Sequence, residues 1–169
     1  MSGGRILLWG PADPAFSGAF IKNFDYYLYL RQNGLECHPD RDGNIRNIIV
    51  DNCSYCNLPF EFIVVKGSDF DEIPVSFYGS DTVFVFESSC SRMNTLLKQT
   101  GNRSICYGPS HSDSITFSSV EDDCVTVFVQ QGIQYRGKSI DMEEFSIRNC
   151  DPQHIFAGVC GTIISRLVC

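Results

Sequence analysis

Two cysteines, Cys53 and Cys56, stand in the predicted turn between two strand-like runs. Their spacing is used by one half of a zinc site and by thiol–disulfide redox pairs. A redox pair opens a helix, but the residues that follow, NLPFEFIVVK, are typical of a strand. A zinc site needs two further ligands, and Cys37, beside His38, is the first candidate. The pattern favours thiols without a cofactor, with zinc held by Cys53, Cys56 and Cys37 as the alternative.

Cys90 is the thiol whose surroundings favour reactivity. It follows an apolar strand-like run and precedes a helix-like run, with Arg92 close by. A helix N-terminus and a guanidinium both lower the pKa of a thiol and attract anions. The alternative to a chain without a ligand site is one with a site around 87–92, because open α/β sheets bind ligands at the carboxyl ends of their strands. Its candidate residues come from three turns: Trp9, Asp13, Glu87, Ser89, Cys90, Arg92 and His111.

No complete catalytic motif accompanies these residues. A cysteine phosphatase would need an arginine six residues after Cys90, where Leu96 stands. The sequence has neither a glycine-rich phosphate loop nor a G-x-S-x-G nucleophile elbow. His111 lies in a polar turn with Ser110 and Asp113, and three residues of one loop cannot form a catalytic triad. The balance of motifs is against an enzyme.

Composition and charge narrow the choice of partners. The 169 residues are 43% hydrophobic and 20% charged, as in folded proteins, and carry a net charge of −7. Because the sequence has no basic run, nucleic acid and anionic membranes are not expected as partners. Another protein is expected, with a basic surface that complements the acidic runs at 69–72 and 121–123.

The nine cysteines indicate a reducing compartment. Several, such as Cys106, Cys124 and Cys160, fall inside apolar patterns, where cysteine behaves as a small hydrophobic residue. The first apolar run has only four residues, too few for a secretion signal, and no run of 18 apolar residues is present to span a membrane. We therefore expect a cytoplasmic or nuclear protein with free thiols.

The local patterns alternate between strand and helix. RILLW, residues 5–9, predicts a buried strand, and Asp13–Pro14 opens a helix that is expected to continue to Gly34. DTVFVFE, a serine-capped helix that ends at Gly101, and RSICYG predict a second β-α-β unit. These units, at 5–34 and 81–108, predict a single α/β domain over residues 1–169, with three layers and a mixed, mostly parallel sheet.

The carboxyl-terminal third predicts antiparallel structure and a buried helix. CVTVFVQQ and IQYRGKSI flank Gly132 and predict a hairpin, and DMEEFSI predicts a helical turn. The last helix, opened by Asp151–Pro152, has two adjacent apolar rows: Ile155, Val159, Ile163 and Leu167 in one, and Phe156, Cys160, Ile164 and Val168 in the other. A helix with so wide an apolar stripe is deeply buried, or it also packs on a second copy of the chain.

Three functions are consistent with these features. The first is a non-catalytic protein–protein interaction domain, or a subunit of an intracellular assembly, indicated by the missing motifs, the acidic loops and the apolar last helix. The second is a small enzyme or ligand-binding domain that uses the edge around Glu87–Arg92. The third is a zinc-stabilised interaction module that uses Cys53 and Cys56.

Overall fold

A computed structural model describes residues 3–169, and the predicted α/β class is confirmed. Two 3₁₀ turns, Val75–Phe77 and Pro152–His154, accompany the strands and helices. In chain order these are β1 (Arg5–Trp9), α1 (Pro14–Ile21), β2 (Tyr27–Arg31), β3 (Gly34–Cys37), β4 (Asn47–Asp51), β5 (Phe62–Val65), β6 (Val83–Glu87), α2 (Ser91–Thr100), β7 (Arg103–Tyr107), β8 (Ile115–Val120), β9 (Cys124–Val129), β10 (Ile133–Tyr135), β11 (Lys138–Ile140), β12 (Glu144–Arg148) and α3 (Ile155–Val168).

One sheet of ten strands runs through the molecule in the order β12-β9-β8-β7-β6-β5-β1-β4-β2-β3. The strands from β8 to β2 in this order are parallel, whereas β3, β9 and β12 are antiparallel to their neighbours. The sheet is therefore mixed and mostly parallel, as predicted. The chain leaves β1 towards β2 and crosses back between β4 and β5, so β1 lies where the direction of winding reverses.

The first helix is shorter than the sequence predicts. It begins after Asp13, whose carboxylate accepts a hydrogen bond from the amide of Phe16 at 3.0 Å, but it ends at Ile21 rather than near Gly34. The side-chain amide of Asn23 donates to the carbonyl of Ala19 at 2.9 Å and closes the helix. The following YLYLR forms β2, because aromatic residues favour strands and β4 offers a parallel partner.

An antiparallel hairpin does form near the carboxyl terminus, but between other residues than predicted. β9 pairs with β8 and β12, and the hairpin consists of β10 and β11. Its turn is Arg136–Gly137, with φ of 47° and 82°, the two left-handed residues of a two-residue hairpin loop. The predicted helical turn is also wrong, because residues 144–148 extend along β9 as the edge strand β12.

Helices cover both faces of the sheet, which gives the predicted three layers. On one face α1 packs against α3, with the ring centroids of Phe16 and Phe156 5.9 Å apart. On the other face α2 inserts Met93 into a cluster with Leu7, Phe84 and the segment 70–77. The two clusters form separate cores above and below the same sheet.

The chain itself buries both apolar rows of α3. Cys160, Ile163 and Ile164 have no exposed surface, and Leu167 is 2% exposed. Of the two alternatives predicted for this helix, the structure therefore supports deep burial within the chain. A homo-oligomer through α3 stays a prediction.

Two further properties concern the length of the helices and the state of the cysteines. None of the helices within residues 3–169 combines the length and hydrophobicity that crossing a bilayer requires. All nine cysteines are free thiols. Cys90, Cys150 and Cys160 are buried, whereas Cys37 and Cys169 are exposed.

Gly18 provides a test of the short first helix. A Cβ atom at this position would meet no atom within 4 Å, so Gly18→Ala is expected to raise the free energy of unfolding by about 0.5–1 kcal/mol through its higher helix propensity. Gly101 is equally open but has a φ of 71°, so the control Gly101→Ala should lower it by about 1 kcal/mol. Equilibrium urea unfolding measures both, and a destabilised Gly18→Ala would contradict this description of α1.

Candidate functional site

A buried ion pair lies where the carboxyl ends of the three central strands meet. Lys66, which follows β5, places Nζ 2.7 Å from Oδ1 of Asp51 at the end of β4. The end of β1 lies between them, and there the chain has Gly10, with a φ of 135°. A Cβ atom on Gly10 would lie 2.6 Å from the carbonyl oxygen of Lys66 and 3.2 Å from its Cβ. The absence of a side chain on Gly10 therefore lets the ion pair span β1.

The second carboxylate oxygen of Asp51 is also bonded. It accepts hydrogen bonds from the hydroxyl of Ser17 in α1 at 2.5 Å and from that of Tyr29 in β2 at 2.9 Å. Burial, assisted by the charge of Asp51, raises the pKa of Tyr29 to about 12, so the phenol keeps its proton near neutral pH. With both oxygens occupied, Asp51 holds α1, β2, β4 and β5 together rather than serving as a free base.

A cleft of about 660 Å³ opens beside this cluster. Asp51, Tyr29 and Ser17 contribute to its wall, and α1 contributes Gly18. Its charged side chains are of both signs: Asp13, Lys22, Arg31, Glu36 and Asp51. The volume is that of a small-molecule site, and the mixture of charges suits an uncharged polar or zwitterionic molecule better than a strong anion.

One half of the sheet is uncovered on its α2 side. Tyr29 and Ile49 point into the core beneath α1, so their neighbours in β2 and β4 point to the opposite face. We call the apolar side chains on this side the open face, and they are Leu28, Leu30, Leu35, Ile48 and Val50. Leu35 is exposed and the other four are half-buried. Only Val50 of these packs against a core cluster, and Leu35 is 64% exposed.

The loop that carries Cys53 and Cys56 forms the border of the open face. A groove of about 360 Å³ runs between this loop and the strands, lined by Leu30, Ile48 and Val50. The loop adds Tyr55, which is 76% exposed. Arg5 and Arg31 also line the groove, and its lining has no carboxylate. The groove is thus apolar with a positive rim.

Trp9 and Asp13, predicted as site residues, lie on different sides of the sheet. The indole Nε1 of Trp9 donates to the carbonyl of Asp71 at 2.8 Å, and its ring meets Phe77 edge-on. Asp13 caps α1, lines the large cleft and lies 3.6 Å from Nε2 of His154. Of the predicted residues, only Asp13 belongs to the cleft at Asp51.

The residues predicted around the end of β6 do not converge either. Glu87 faces α3, where its charge adds to burial in raising the pKa of Cys160. Cys90 points to the other face and is 2% exposed. Arg92 donates to the carbonyl of Phe70, and its guanidinium lies 4.6 Å from the centre of that ring.

Two predicted residues lie outside these cores. Ser89, beside Cys90, is exposed. His111 is exposed in the loop between β7 and β8. The seven predicted residues therefore do not share one cleft, and ligand binding around 87–92 stays a prediction.

The CxxC pair lies in a crossover loop rather than a hairpin turn, because β4 and β5 flank β1 and do not pair with each other. The thiol of Cys56 donates to the carbonyl of Leu58 at 2.8 Å. Burial, and secondarily Cys56, raises the pKa of Cys53, the reverse of what a reactive thiol needs. Cys37 lies on the edge strand β3, and no group of three metal-ligating side chains forms within residues 3–169. The alternative zinc site is therefore not assembled here.

Sequence reasoning missed the residues that do converge. Asp51 is the last residue of one short apolar strand, and Lys66 directly follows another. Charged residues at these places reach the carboxyl edge of a parallel sheet. That signal was present in the sequence. Their pairing depends on β1 lying between β4 and β5, which no local pattern reveals.

Comparison with known proteins yields the fold alone. No family model and no curated protein matches the chain. A murein peptide ligase from Psychrobacter arcticus superimposes with a TM-score of 0.60 at 8% identity, over 99% of this chain and 45% of that one. A UDP-N-acetylmuramate:L-alanyl-γ-D-glutamyl-meso-diaminopimelate ligase from Neisseria meningitides gives 0.58 at 10% identity, over 96% and 60%. The chain thus spans about half the length of these solved structures.

The ion pair predicts an asymmetric response to mutation. Asp51→Asn leaves the Lys66 ammonium, 3% exposed, without a counter-charge, and should cost about 3 kcal/mol of stability or more. Lys66→Met leaves the carboxylate with the hydroxyls of Ser17 and Tyr29 and should cost clearly less. Urea unfolding at pH 7 measures both variants. Equal losses would show that the buried ammonium is not the dominant cost.

The thiols predict an order of labelling by a maleimide in the native protein. Cys37 and Cys169 are exposed and should react first. Cys90 and Cys160 are buried, and burial raises the pKa of Cys160 well above its usual range, so both should react only as the chain opens. Peptide mass spectrometry against time gives the order. Labelling of Cys90 ahead of Cys37 would restore Cys90 as an activated thiol.

Proposed function

We propose that the chain is a non-catalytic interaction domain that binds another protein through the open face. The observation that carries this proposal is the half of the sheet without a covering helix, where the exposed Leu35 adjoins half-buried leucine, isoleucine and valine of β2 and β4. Three-layer α/β domains bury both faces of their parallel strands, because exposed apolar strands invite association. A partner that covers Leu30, Leu35 and Ile48 would supply the missing layer.

The charges around the groove indicate the chemistry of the partner. Arg5 and Arg31 line it, and Arg31, the last residue of β2, also lines the cleft at Asp51 on the opposite face. Arg31 forms no ion pair within residues 3–169. Arg5 is held in place by the carbonyls of Leu58 and Pro59, both at 2.9 Å. An apolar segment that carries an aspartate or glutamate would match both the groove and Arg31. This differs from the basic partner expected from net charge, since the groove has the opposite local sign.

A non-catalytic role is supported by the state of the polar groups at the carboxyl edge. Asp51 has both oxygens bonded, Cys90 is buried, and the pKa of Cys53 is raised. The free thiols are consistent with a reducing compartment, so we place the protein in the cytoplasm or nucleus. With a net charge of −7, nucleic acid is not a proposed partner.

Selection of peptides from a displayed library tests this function. We expect wild-type protein to enrich peptides in which apolar residues alternate with Asp or Glu. Leu35→Asp places a charge on the open face, and Arg31→Glu reverses the rim, so each should abolish the enrichment. Ser146→Asp, an exposed change on the distant edge strand β12, is the matched control and should leave it intact.

The outcomes separate the proposed function from its alternatives. Enriched peptides that are basic, or that bind Leu35→Asp as well as wild type, would contradict docking on the open face. Sedimentation of the free protein detects a second copy of the chain as the occupant. Self-association abolished by Leu35→Asp would replace the heterologous partner by a homodimer.

A second candidate function, binding of a small polar molecule, is favoured by the cleft at Asp51. Its position beside the strand where winding reverses is where open α/β sheets bind ligands. Gly18 lines the cleft with open space around it, so Gly18→Trp fills the cleft while Gly18→Ala leaves it open. Amino acids and sugars that raise the melting temperature of wild type and Gly18→Ala, but not of Gly18→Trp, would support it. Equal shifts in all three proteins would reject it.

A further inference from the structure

The β10–β11 hairpin forms one side of an open cavity at the amino edge of the sheet, opposite to the edge discussed so far. The cavity has a volume of about 360 Å³. The starts of β5 and β6 contribute Phe62 and Val83 to its wall, and α3 contributes Leu167. Arg103, at the start of β7, is its charged member. Ser104, Ser114, Gln131 and Gln134 also line it, so the cavity has a largely buried apolar floor, polar sides and a guanidinium.

The hydroxyl of Tyr135, in the hairpin, forms no hydrogen bond within the described residues. The residue is 4% exposed, and within residues 3–169 its hydroxyl is a buried side-chain oxygen without a hydrogen-bond partner. The ring packs on Phe62 with centroids 4.6 Å apart, and Tyr135 lines this cavity and two adjoining ones. Buried polar groups in folded proteins are normally satisfied, so an unused donor in a cavity wall points to an acceptor that the chain does not itself supply.

Charges of both signs act on this hydroxyl: after burial, which is the largest cause, the carboxylates of Glu61 and Asp81 raise the pKa of Tyr135, and Arg136 and Arg103 lower it. The guanidinium carbons of Arg103 and Arg136 lie 5.8 and 5.2 Å from the centre of the Tyr135 ring. Arg136 is neutralised by Glu61, whereas Arg103 donates only to the carbonyl of Gln134, at 3.1 Å, and forms no ion pair in the described chain. The adjoining cavity of about 390 Å³ is lined by Arg103, Arg136 and Lys138 and by no carboxylate. In a chain of net charge −7, this is a local preference for an anion.

We propose that the hairpin cavity binds a small organic monocarboxylate, with its apolar part against Phe62, Val83 and Leu167 and its carboxylate on Tyr135 and Arg103. One free guanidinium and one free hydroxyl match a single negative charge with two acceptor oxygens. The apolar wall selects for a hydrocarbon or aromatic body over inorganic anions. Burial raises the pKa of Tyr135 to about 12, so its phenol remains a donor at neutral pH. This site is independent of the open face.

Calorimetric titration with octanoate tests the proposal, with octanamide and inorganic phosphate as comparison probes. We expect octanoate to bind wild type, and octanamide and phosphate to bind at least tenfold more weakly. Tyr135→Phe and Arg103→Gln should each weaken octanoate binding by about tenfold or more, the effect of losing a hydrogen bond to a charged group. Arg148→Gln, an exposed arginine on β12, is the matched control and should bind as wild type does.

Each of the following results would contradict the proposal. Absence of octanoate binding at 10 millimolar or so, far weaker than a formed site gives, would reject the cavity as a carboxylate site. Equal binding of octanamide would reject recognition of the charge, and equal binding of phosphate would reject the contribution of the apolar floor. Octanoate binding that survives Tyr135→Phe unchanged would reject the role of the hydroxyl.

The stability of ligand-free Tyr135→Phe provides a second, independent readout. Removing a buried hydroxyl that has no partner should leave the midpoint of urea unfolding unchanged or raise it. The same substitution is thus expected to weaken octanoate binding without weakening the fold. A clearly lowered midpoint would show that the hydroxyl is already satisfied in the free protein, and would remove the reason for assigning a ligand to it.

Discussion

The ion pair between Lys66 and Asp51 is the constraint on which the central part of the structure depends. A salt bridge with an ammonium 3% exposed is tolerated only when its charges are paired closely and the remaining acceptors are bonded, and here Ser17 and Tyr29 complete the carboxylate. The pair spans β1, which requires a bare backbone at Gly10. The ion pair thereby joins β4 and β5, which lie on either side of β1. Through Ser17 it also fixes α1 at the position that shapes the large cleft.

The two halves of the sheet differ in how far other elements cover their faces. From β5 to β7 both faces are covered, by α2 on one side and by α3 and the hairpin on the other. From β4 to β3, α1 covers Ile49 and Tyr29 on one side and leaves the large cleft beside them, and the other side has a short loop in place of a helix. Residues 52–61 connect β4 to β5 without forming a helix, so the layer that a βαβ crossover normally adds is missing there. The open face is a direct consequence of that short crossover.

The sequence correctly predicted those elements that depend on interactions between residues close together in the chain. The strand at 83–87, the helix that follows it and the left-handed Gly101 at its end were all readable, because strand propensity, helix face and cap lie within a few residues. The first helix was predicted too long, since YLYLR is apolar at both helical and strand spacing and only β4 decides between them. The CxxC hairpin was wrong because β1 lies between β4 and β5, a strand order that no local pattern reveals. Ligand binding by Trp9, Glu87 and the other residues predicted with them stays a prediction.

The contact between α1 and α3 has a consequence for how the protein emerges from the ribosome. Phe16 and Phe20 belong to the same core as Phe156, Ile163 and Leu167, although about 140 positions separate the two helices. A nascent chain must therefore carry the apolar surface of its first helix uncovered until the residues of α3 have been made. Structures whose contacts are so distant in sequence fold slowly, and uncovered apolar surface is what chaperones bind. The first core therefore cannot be completed before α3 has been made, whereas the second core, built from residues 7–106, can close earlier.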